Sequence, residues 1–136
     1  MYIVIVGSGR TGAKLGDLLS KNGHEVVVID KKSQQFRKLS IEFSGFNIEG
    51  DAMENEILKK AKTHKADMMV VTTGSDKVNY MVTQLAREFF SVPAILVRVI
   101  DPSRKKLFSD LENVETYSPL DLLVDAFINR IENNKN

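Results

Sequence analysis

Six short apolar strands in strict alternation with six amphipathic segments predict an open, doubly wound parallel α/β sheet with helices on both faces. The strands are rich in Val and Ile with little polar alternation, the pattern of strands buried on both faces of a parallel sheet. A glycine-rich turn directly follows the first strand and opens the first helix, which makes the expected fold Rossmann-like.

Tyr2 to Val6 forms the first strand, and Thr11 to Asn22 the first helix, closed by Asn22-Gly23. Glu25 to Ile29 is the second strand, followed by a helix over Ser33 to Phe43 that Gly45 ends. Asn47 to Gly50 is the third strand, followed by a helix over Glu54 to Ala61. Met68 to Thr72 and the helix over Lys77 to Phe90 form the fourth pair. Pro93 then introduces the fifth strand, Ala94 to Arg98, which leads to a helix over Pro102 to Asp110. The last pair is Val114 to Tyr117 and Pro119 to Glu132. Residues 1–132 thus read as one domain and residues 133–136 as a polar tail.

Composition narrows the function. The chain has 136 residues, 43% hydrophobic and 27% charged, enough for one core and too few for a separate substrate domain. Nineteen Lys and Arg against eighteen Asp and Glu leave a formal charge of +1, which disfavours a general nucleic-acid or anionic-lipid binder. The absence of cysteine excludes disulfides, thiolate metal sites and cysteine nucleophiles, and two histidines leave little for zinc. No metal site is expected. Apolar runs such as Met68 to Val71 are far shorter than the roughly 18 residues that span a bilayer, and Tyr2 to Val6 is a core strand rather than a signal segment. A cytoplasmic protein without direct membrane insertion is expected.

The strongest motif is Gly7-Ser8-Gly9-Arg10-Thr11-Gly12. Gly7 allows the tight turn, Gly9 a close approach of backbone to a pyrophosphate, and Gly12 close packing of helix on strand. The free amides and dipole of the helix N-terminus then face the phosphates. Arg10 can pair with a bound phosphate or stand exposed on the first turn. Asp30, at the end of the second strand, sits at the separation where an acid meets an adenosine ribose diol, or else caps the next helix. Lys31 and Lys32 beside it can tolerate a ribose phosphate that Asp30 would repel.

Ligands of open α/β sheets lie beyond the carboxyl ends of the strands. There the third strand ends in Gly50-Asp51-Ala52, the fourth in Thr72-Thr73-Gly74-Ser75-Asp76 and the fifth in Arg98. Asp51 either meets an adenine edge or caps the following helix, while Thr72, Thr73 and Gly74 line the ribose and phosphates. Arg98 pairs with a ligand or with a local acid such as Asp101.

Together these residues resemble the TrkA N-terminal domain, also called the RCK or KTN domain, of potassium channels and uptake systems. The resemblance rests on the glycine loop, Asp30, Gly50-Asp51-Ala52, Ala66-Asp67, Asn79 and Val97-Arg98-Val99, and it covers nearly the whole chain. It implies a cytosolic regulatory subunit that binds NAD(H) or ATP/ADP and acts on a membrane potassium-translocating partner, peripheral to the inner face of the membrane. The loop glycines and Arg10 would hold phosphates, Asp30 the ribose and Asp51 the adenine side. Family members often carry Pro-Glu after the sixth strand, an acid linked in some to cation binding. Here the sequence is Pro119-Leu120 with Asp121 next, and the family's common C-terminal ligand domain has no counterpart in these residues.

The alternative is the cofactor domain of an NAD-dependent oxidoreductase lacking its substrate domain. It would need an acid, base or nucleophile over a second substrate. His24 and His64 read as solvated loop residues, and no catalytic pair stands out, so a non-enzyme is expected. The last helix points to assembly. Leu120, Leu122, Leu123, Val124, Ala126, Phe127, Ile128 and Ile131 spread apolar groups more than halfway round it. One face is expected on its own sheet and the other on a second subunit, giving a homodimer or higher homo-oligomer, or on a missing domain; the alternative is a helix wholly embedded in its own core. The basic stretch Lys59-Lys60, Lys62 and Lys65 lacks interleaved aromatics and reads as a solvated helix face.

Overall fold

A computed structural model describes residues 1–134, so the last two residues of the expected polar tail lie outside it. Its strands are β1 (Tyr2–Val6), β2 (Glu25–Asp30), β3 (Phe46–Glu49), β4 (Met68–Val71), β5 (Ile95–Arg98) and β6 (Val114–Tyr117). Its α-helices are α1 (Arg10–Lys21), α2 (Asn55–Lys60), α3 (Asp76–Phe90) and α4 (Pro119–Glu132). The six strands lie in the order β3-β2-β1-β4-β5-β6, with every neighbouring pair parallel. The order reverses between β1 and β4, which makes their carboxyl ends the place where connections diverge and a crevice opens.

The sheet separates two apolar layers. On one face Val4, Val6, Val27, Ile29, Met69, Val71, Ile95 and Val97 pack under α2 and α3 with Leu58, Val82, Ala86 and Phe108. On the other, Ile3, Ile5, Val26 and Val28 meet Leu15 and Leu19 of α1 together with Phe36, Leu39 and Phe43. Gly16 is buried where α1 meets the sheet, and a Cβ there would make ordinary van der Waals contact with Val28 and Leu39 at 3.4 Å.

Two expected helices are shorter and tighter. Ser33–Lys38 is a 3-10 helix rather than an α-helix running to Phe43. The Asp17 carboxylate of α1 accepts the Ser40 amide at 2.9 and 3.0 Å, which draws that amide out of any helical ladder. Phe36, Leu39 and Phe43 still reach the core. Pro102–Phe108 is likewise 3-10, with Asp101 accepting the Ser103 amide at 3.0 Å and only Phe108 buried. The expected Glu54 to Ala61 helix narrows to Asn55–Lys60, and Lys62 then takes a left-handed φ of 56° before a 3-10 turn over Thr63–Lys65.

The largest departure is α4, which buries none of its residues and so does not lay one face on its own sheet. The half of the sheet face formed by β4, β5 and β6 on the α1 side is left without a helical cover, and Val70 and Leu96 are only half-buried there.

Candidate functional site

The carboxyl ends of β1, β2, β4 and β5 surround a cavity of about 500 Å³, within the range of nucleotide and other small-molecule sites. Its walls include Gly7, Gly9, Asp30, Lys31, Asp51, Ala52, Thr72, Thr73, Gly74 and Arg98, ten positions expected from the sequence.

The glycine loop is built by sterics. Gly7 has φ +104°, and a Cβ on it would lie 2.7 Å from the Thr72 carbonyl oxygen; its own N–H donates to the Ile29 carbonyl at 2.8 Å. A Cβ on Gly12 would come within 1.8 Å of the Gly7 carbonyl oxygen, so only glycine lets α1 start here. Gly9 differs. Its φ is ordinary at −73°, and a Cβ there would meet no protein atom within 4 Å, because the residue faces the cavity. Ala13 is the first amide to find a helical acceptor, the Gly9 carbonyl at 2.9 Å. The amides before it are orphan donors of a helix with no side-chain cap and no acid in its first turn. This suits an anion.

Asp30 is held by the loop it faces. One carboxylate oxygen accepts the Ser8 amide at 2.8 Å and the other the Lys32 amide at 2.9 Å. The carboxylate therefore bridges the phosphate-type loop and the end of β2 rather than capping the Ser33–Lys38 helix through its side chain. Ser8 is fully buried, its hydroxyl donating to the Gln35 carbonyl at 3.2 Å, so it stiffens the loop from behind instead of lining the cavity. Lys31 reaches across to Asp51 at 3.7 Å, and Asp51 accepts the Met53 amide at 2.9 Å in a tight turn. Asp51 does not cap α2, whose N-terminal flank is Glu54.

The far wall is a polar weave around buried Asn79. Its Oδ1 accepts both the Thr73 amide (3.1 Å) and the Thr73 hydroxyl, and its Nδ2 donates to the Thr73 and Arg98 carbonyls at 3.2 and 3.0 Å. Arg98 does not pair with an acid. Its Nη2 donates to the Thr72 and Thr73 carbonyls at 2.9 and 3.0 Å, while Nε is buried without a partner among the described residues, as is the Thr72 hydroxyl. Asp101, the acid expected beside it, turns instead to the Ser103 hydroxyl and amide and to Arg104, which hold its carboxyl below the usual range. Buried Asp76 at the start of α3 accepts the Ile100 and Asp101 amides at 2.7 and 3.0 Å, tying this wall to the end of β5.

Three expected residues besides Ser8 lie off the cavity. Arg10 is exposed on the first turn of α1, Gly12 is buried under the loop, and Thr11 faces a second, apolar cavity on the other side of the sheet. Gln35 and Val78 join the wall unforeseen. Val78 was legible only as a core position of α3, and Gln35 was hidden by the helix expected to carry it past the site. Among the described residues no three His, Cys, Asp or Glu side chains gather to hold a metal ion, and no helix is long and apolar enough to cross a membrane.

Residues 3–119 match the family model of the TrkA-N domain. The chain belongs to the TrkA-N family. Among curated TrkA-N relatives, a Trk system potassium uptake protein TrkA homolog of Pyrococcus horikoshii is 35% identical over 117 residues, 86% of this chain and 51% of that protein. The Trk system potassium uptake protein TrkA of Streptomyces coelicolor is 30% identical over 131 residues, 96% of this chain and 58% of that protein. The chain thus spans a little over half the length of these relatives.

The TrkA-N fold recurs in solved structures. The TrkA-N domain of inner membrane protein ybaL from Escherichia coli superposes with a TM-score of 0.82 at 20% identity, covering 93% of each chain. The GsuK channel bound to NAD matches with a TM-score of 0.77 at 22% identity, over 96% of this chain and 23% of that one. The Shewanella denitrificans Kef CTD in AMP-bound form matches with a TM-score of 0.76 at 22% identity, over all of this chain and 83% of that one.

Proposed function

We propose that the chain is the adenine-nucleotide-binding regulatory domain of a potassium uptake or channel system. The observation that carries this reading is the bond from the Ser8 amide to Asp30 at 2.8 Å, which fixes a glycine-turned helix N-terminus and a ribose-type acid on adjacent walls of one 500 Å³ cavity. The cavity fits such a group: the faces of Gly9 and Gly74 are open, and the orphan amides of α1 supply donors without a competing acid. On the turn that Gly7 shapes, the free amides of Gly9, Arg10, Thr11 and Gly12 would receive phosphates and Asp30 ribose hydroxyls, with Lys31, Asp51 and Ala52 on the adenine side and Thr72, Thr73, Gly74 and Arg98 along the phosphate wall. Exposed Arg10 would close on the outer phosphate from the first turn of α1, to which Thr11 would contribute only its amide.

NAD(H) and ATP/ADP are the ligand classes in view, supported by the NAD and AMP held by the structural neighbours. The potassium-translocating membrane partner is supported by the Trk relatives, and a cytoplasmic seat at the inner face follows from that role. Regulation needs no covalent chemistry. A nucleotide that prefers one of two arrangements of the domain and its neighbours biases a gate by its differential affinity. The domain would span residues 1–132.

The subunit would act as a homodimer or larger homo-oligomer. Leu120, Leu123, Val124, Phe127, Ile128 and Ile131 fall at i, i+3, i+4, i+7, i+8 and i+11 along α4 and are 44–70% exposed. Such a stripe amounts to roughly 600 Å² per copy, close to what each side of a stable interface covers.

Isothermal titration with NAD, NADH, NADP, ATP and ADP, followed by potassium flux through a reconstituted transporter with and without the protein, tests the reading. Binding of an adenine nucleotide that alters flux is expected. Flux indifferent to nucleotide would remove the regulatory role, and steady hydride transfer to a small substrate would restore the oxidoreductase alternative.

A further inference from the structure

The formal charge of +1 conceals a segregation. Residues 59–65 hold four lysines, His64 and no acid, so the rest of the chain carries fifteen Lys and Arg against eighteen Asp and Glu. The basic excess is local. Lys59 and Lys60 end α2, Lys62 follows it, and His64 and Lys65 lie in the 3-10 turn over Thr63–Lys65. The lysines therefore do not line one solvated helix face, as their spacing suggested, but ring a helix end and the turn after it. All five basic residues are exposed.

The turn that displays them is rigidly built. Thr63 is fully buried, with its hydroxyl donating to the Leu58 carbonyl at 2.7 Å, and Ala61 and Ala66 on either side are buried too. The Lys65 amide donates to the Lys62 carbonyl at 2.9 Å and the Ala66 amide to the Thr63 carbonyl at 3.0 Å. Lys62 itself takes φ 56° and ψ 41°, the left-handed region that Gly or Asn usually fills at a helix end. A lysine there costs conformational energy that glycine would not, and it sets a charge between two pairs of basic neighbours. Acids cancel little of this charge. Lys59 meets Glu56 at 3.2 Å, whereas Lys60, Lys62 and Lys65 have no acidic partner among the described residues. Asp67, the next acid along the chain, accepts the Tyr2 amide at 2.7 Å.

The Tyr2 hydroxyl donates to the Ala61 carbonyl, and the Asp67 amide to the Tyr2 carbonyl at 2.8 Å, so the turn is fastened to the start of β1. The nucleotide-type cavity opens at the opposite, carboxyl end of the strands. We propose that the lysine turn is a docking surface for anionic lipid headgroups, which seats the amino-end edge of the sheet on a membrane and leaves the cavity facing away from it. This extends the inner-face seat proposed above to a contact made by this chain itself. Lysine ammoniums are point charges without the planar fork by which arginine reads a shaped phosphate or carboxylate, which suits a fluid layer of headgroups. Residues 59–65 contain no aromatic to stack on a base and no exposed apolar side chain to insert, so the surface adsorbs and does not penetrate. Each lysine near such a surface is worth about fivefold in partitioning.

The test is co-sedimentation of the full chain with vesicles of equal parts phosphatidylglycerol and phosphatidylcholine, and with vesicles of phosphatidylcholine alone. Binding to the anionic vesicles at ~0.1 M salt, lost at ~1 M and absent on neutral vesicles, is expected. Lys59→Gln, Lys60→Gln, Lys62→Gln and Lys65→Gln combined should lower the partition coefficient at least about 100-fold. Lys14→Gln, Lys77→Gln, Lys106→Gln and Arg130→Gln combined remove the same charge from exposed positions elsewhere and should keep it within about threefold of wild type. Lys62→Gly suits the left-handed backbone, so it should be no less stable in urea and still partition about fivefold more weakly; this variant carries the test if the first combination does not fold. Equal losses from the two combinations would reduce the effect to net charge and overturn the proposal. Binding to soluble poly-glutamate without binding to anionic vesicles would assign the turn to an acidic protein face and overturn the lipid contact. No binding to anionic vesicles overturns it too, while leaving the nucleotide reading and its membrane partner untouched.

Discussion

Replacing Asp30 by alanine separates what the carboxylate does for the fold from what it does for a ligand. In the fold it holds two amides. Ser8 is fully buried, so its N–H, 2.8 Å from Asp30, loses its acceptor and finds no water. A buried amide left unpaired costs about 1–3 kcal/mol. The Lys32 amide, by contrast, belongs to an exposed residue and passes to solvent at little cost. The expected destabilisation is about 2 kcal/mol, read as a fall of about 1 M in the urea midpoint with an unchanged slope. For a bound nucleotide, two ribose hydroxyls lose a charged acceptor, worth about 2–4 kcal/mol together, so the dissociation constant for NAD should rise roughly 30- to 1,000-fold. Urea denaturation followed by circular dichroism and titration calorimetry read the two effects independently. A lower midpoint with NAD affinity unchanged within threefold would make Asp30 a purely structural clasp and refute its place in the site.

Two glycines of the same loop should behave oppositely. Gly12→Ala, whose Cβ would fall 1.8 Å from the Gly7 carbonyl oxygen, should lose about 3 kcal/mol or more in urea denaturation, whereas Gly9→Ala, with no protein atom within 4 Å, should keep wild-type stability and bind nucleotide at least tenfold more weakly. NADP should bind more weakly than NAD by about tenfold or more in calorimetry, because Asp30 faces the ribose and Lys31 is engaged with Asp51; equal affinities would contradict that arrangement. Phe127→Asp puts a charge into the middle of the α4 stripe and should shift light scattering toward the monomer mass with circular dichroism unchanged; an unaltered mass for the folded variant rules out α4 as the interface.

The parts of the site that were legible in the sequence depend on local sterics. Glycine spacing after a strand, an acid at the next strand end and polar residues at the carboxyl ends of the third, fourth and fifth strands announce their place in the fold through position alone, and Gly7, Gly9, Asp30, Asp51 and Thr73 line the cavity at those strand ends. What stayed hidden depends on partners distant in the chain. Nothing near Asp30 announces that the Ser8 amide, twenty-two positions earlier, will occupy one of its oxygens. Arg98 was expected to seek an acid because charge suggests charge, but two carbonyls at the end of β4 lie nearer than Asp101, which Ser103 and Arg104 already hold. The helix expected over Ser33 to Phe43 has a helical apolar pattern, and it shortens because Asp17 of another helix takes the Ser40 amide. In α4 the breadth of the apolar surface was legible and its direction was not, since periodicity does not record which neighbour covers a face.

Titration calorimetry of the wild-type chain with adenine nucleotides is the most direct test of the cavity at the β1–β4 switch point. Saturable binding of NAD(H), ADP or ATP at one site per chain, weakened by both Asp30→Ala and Gly9→Ala, is the expected result. No binding by any of them, or binding that both substitutions leave untouched, would contradict the assignment of this cavity to a nucleotide.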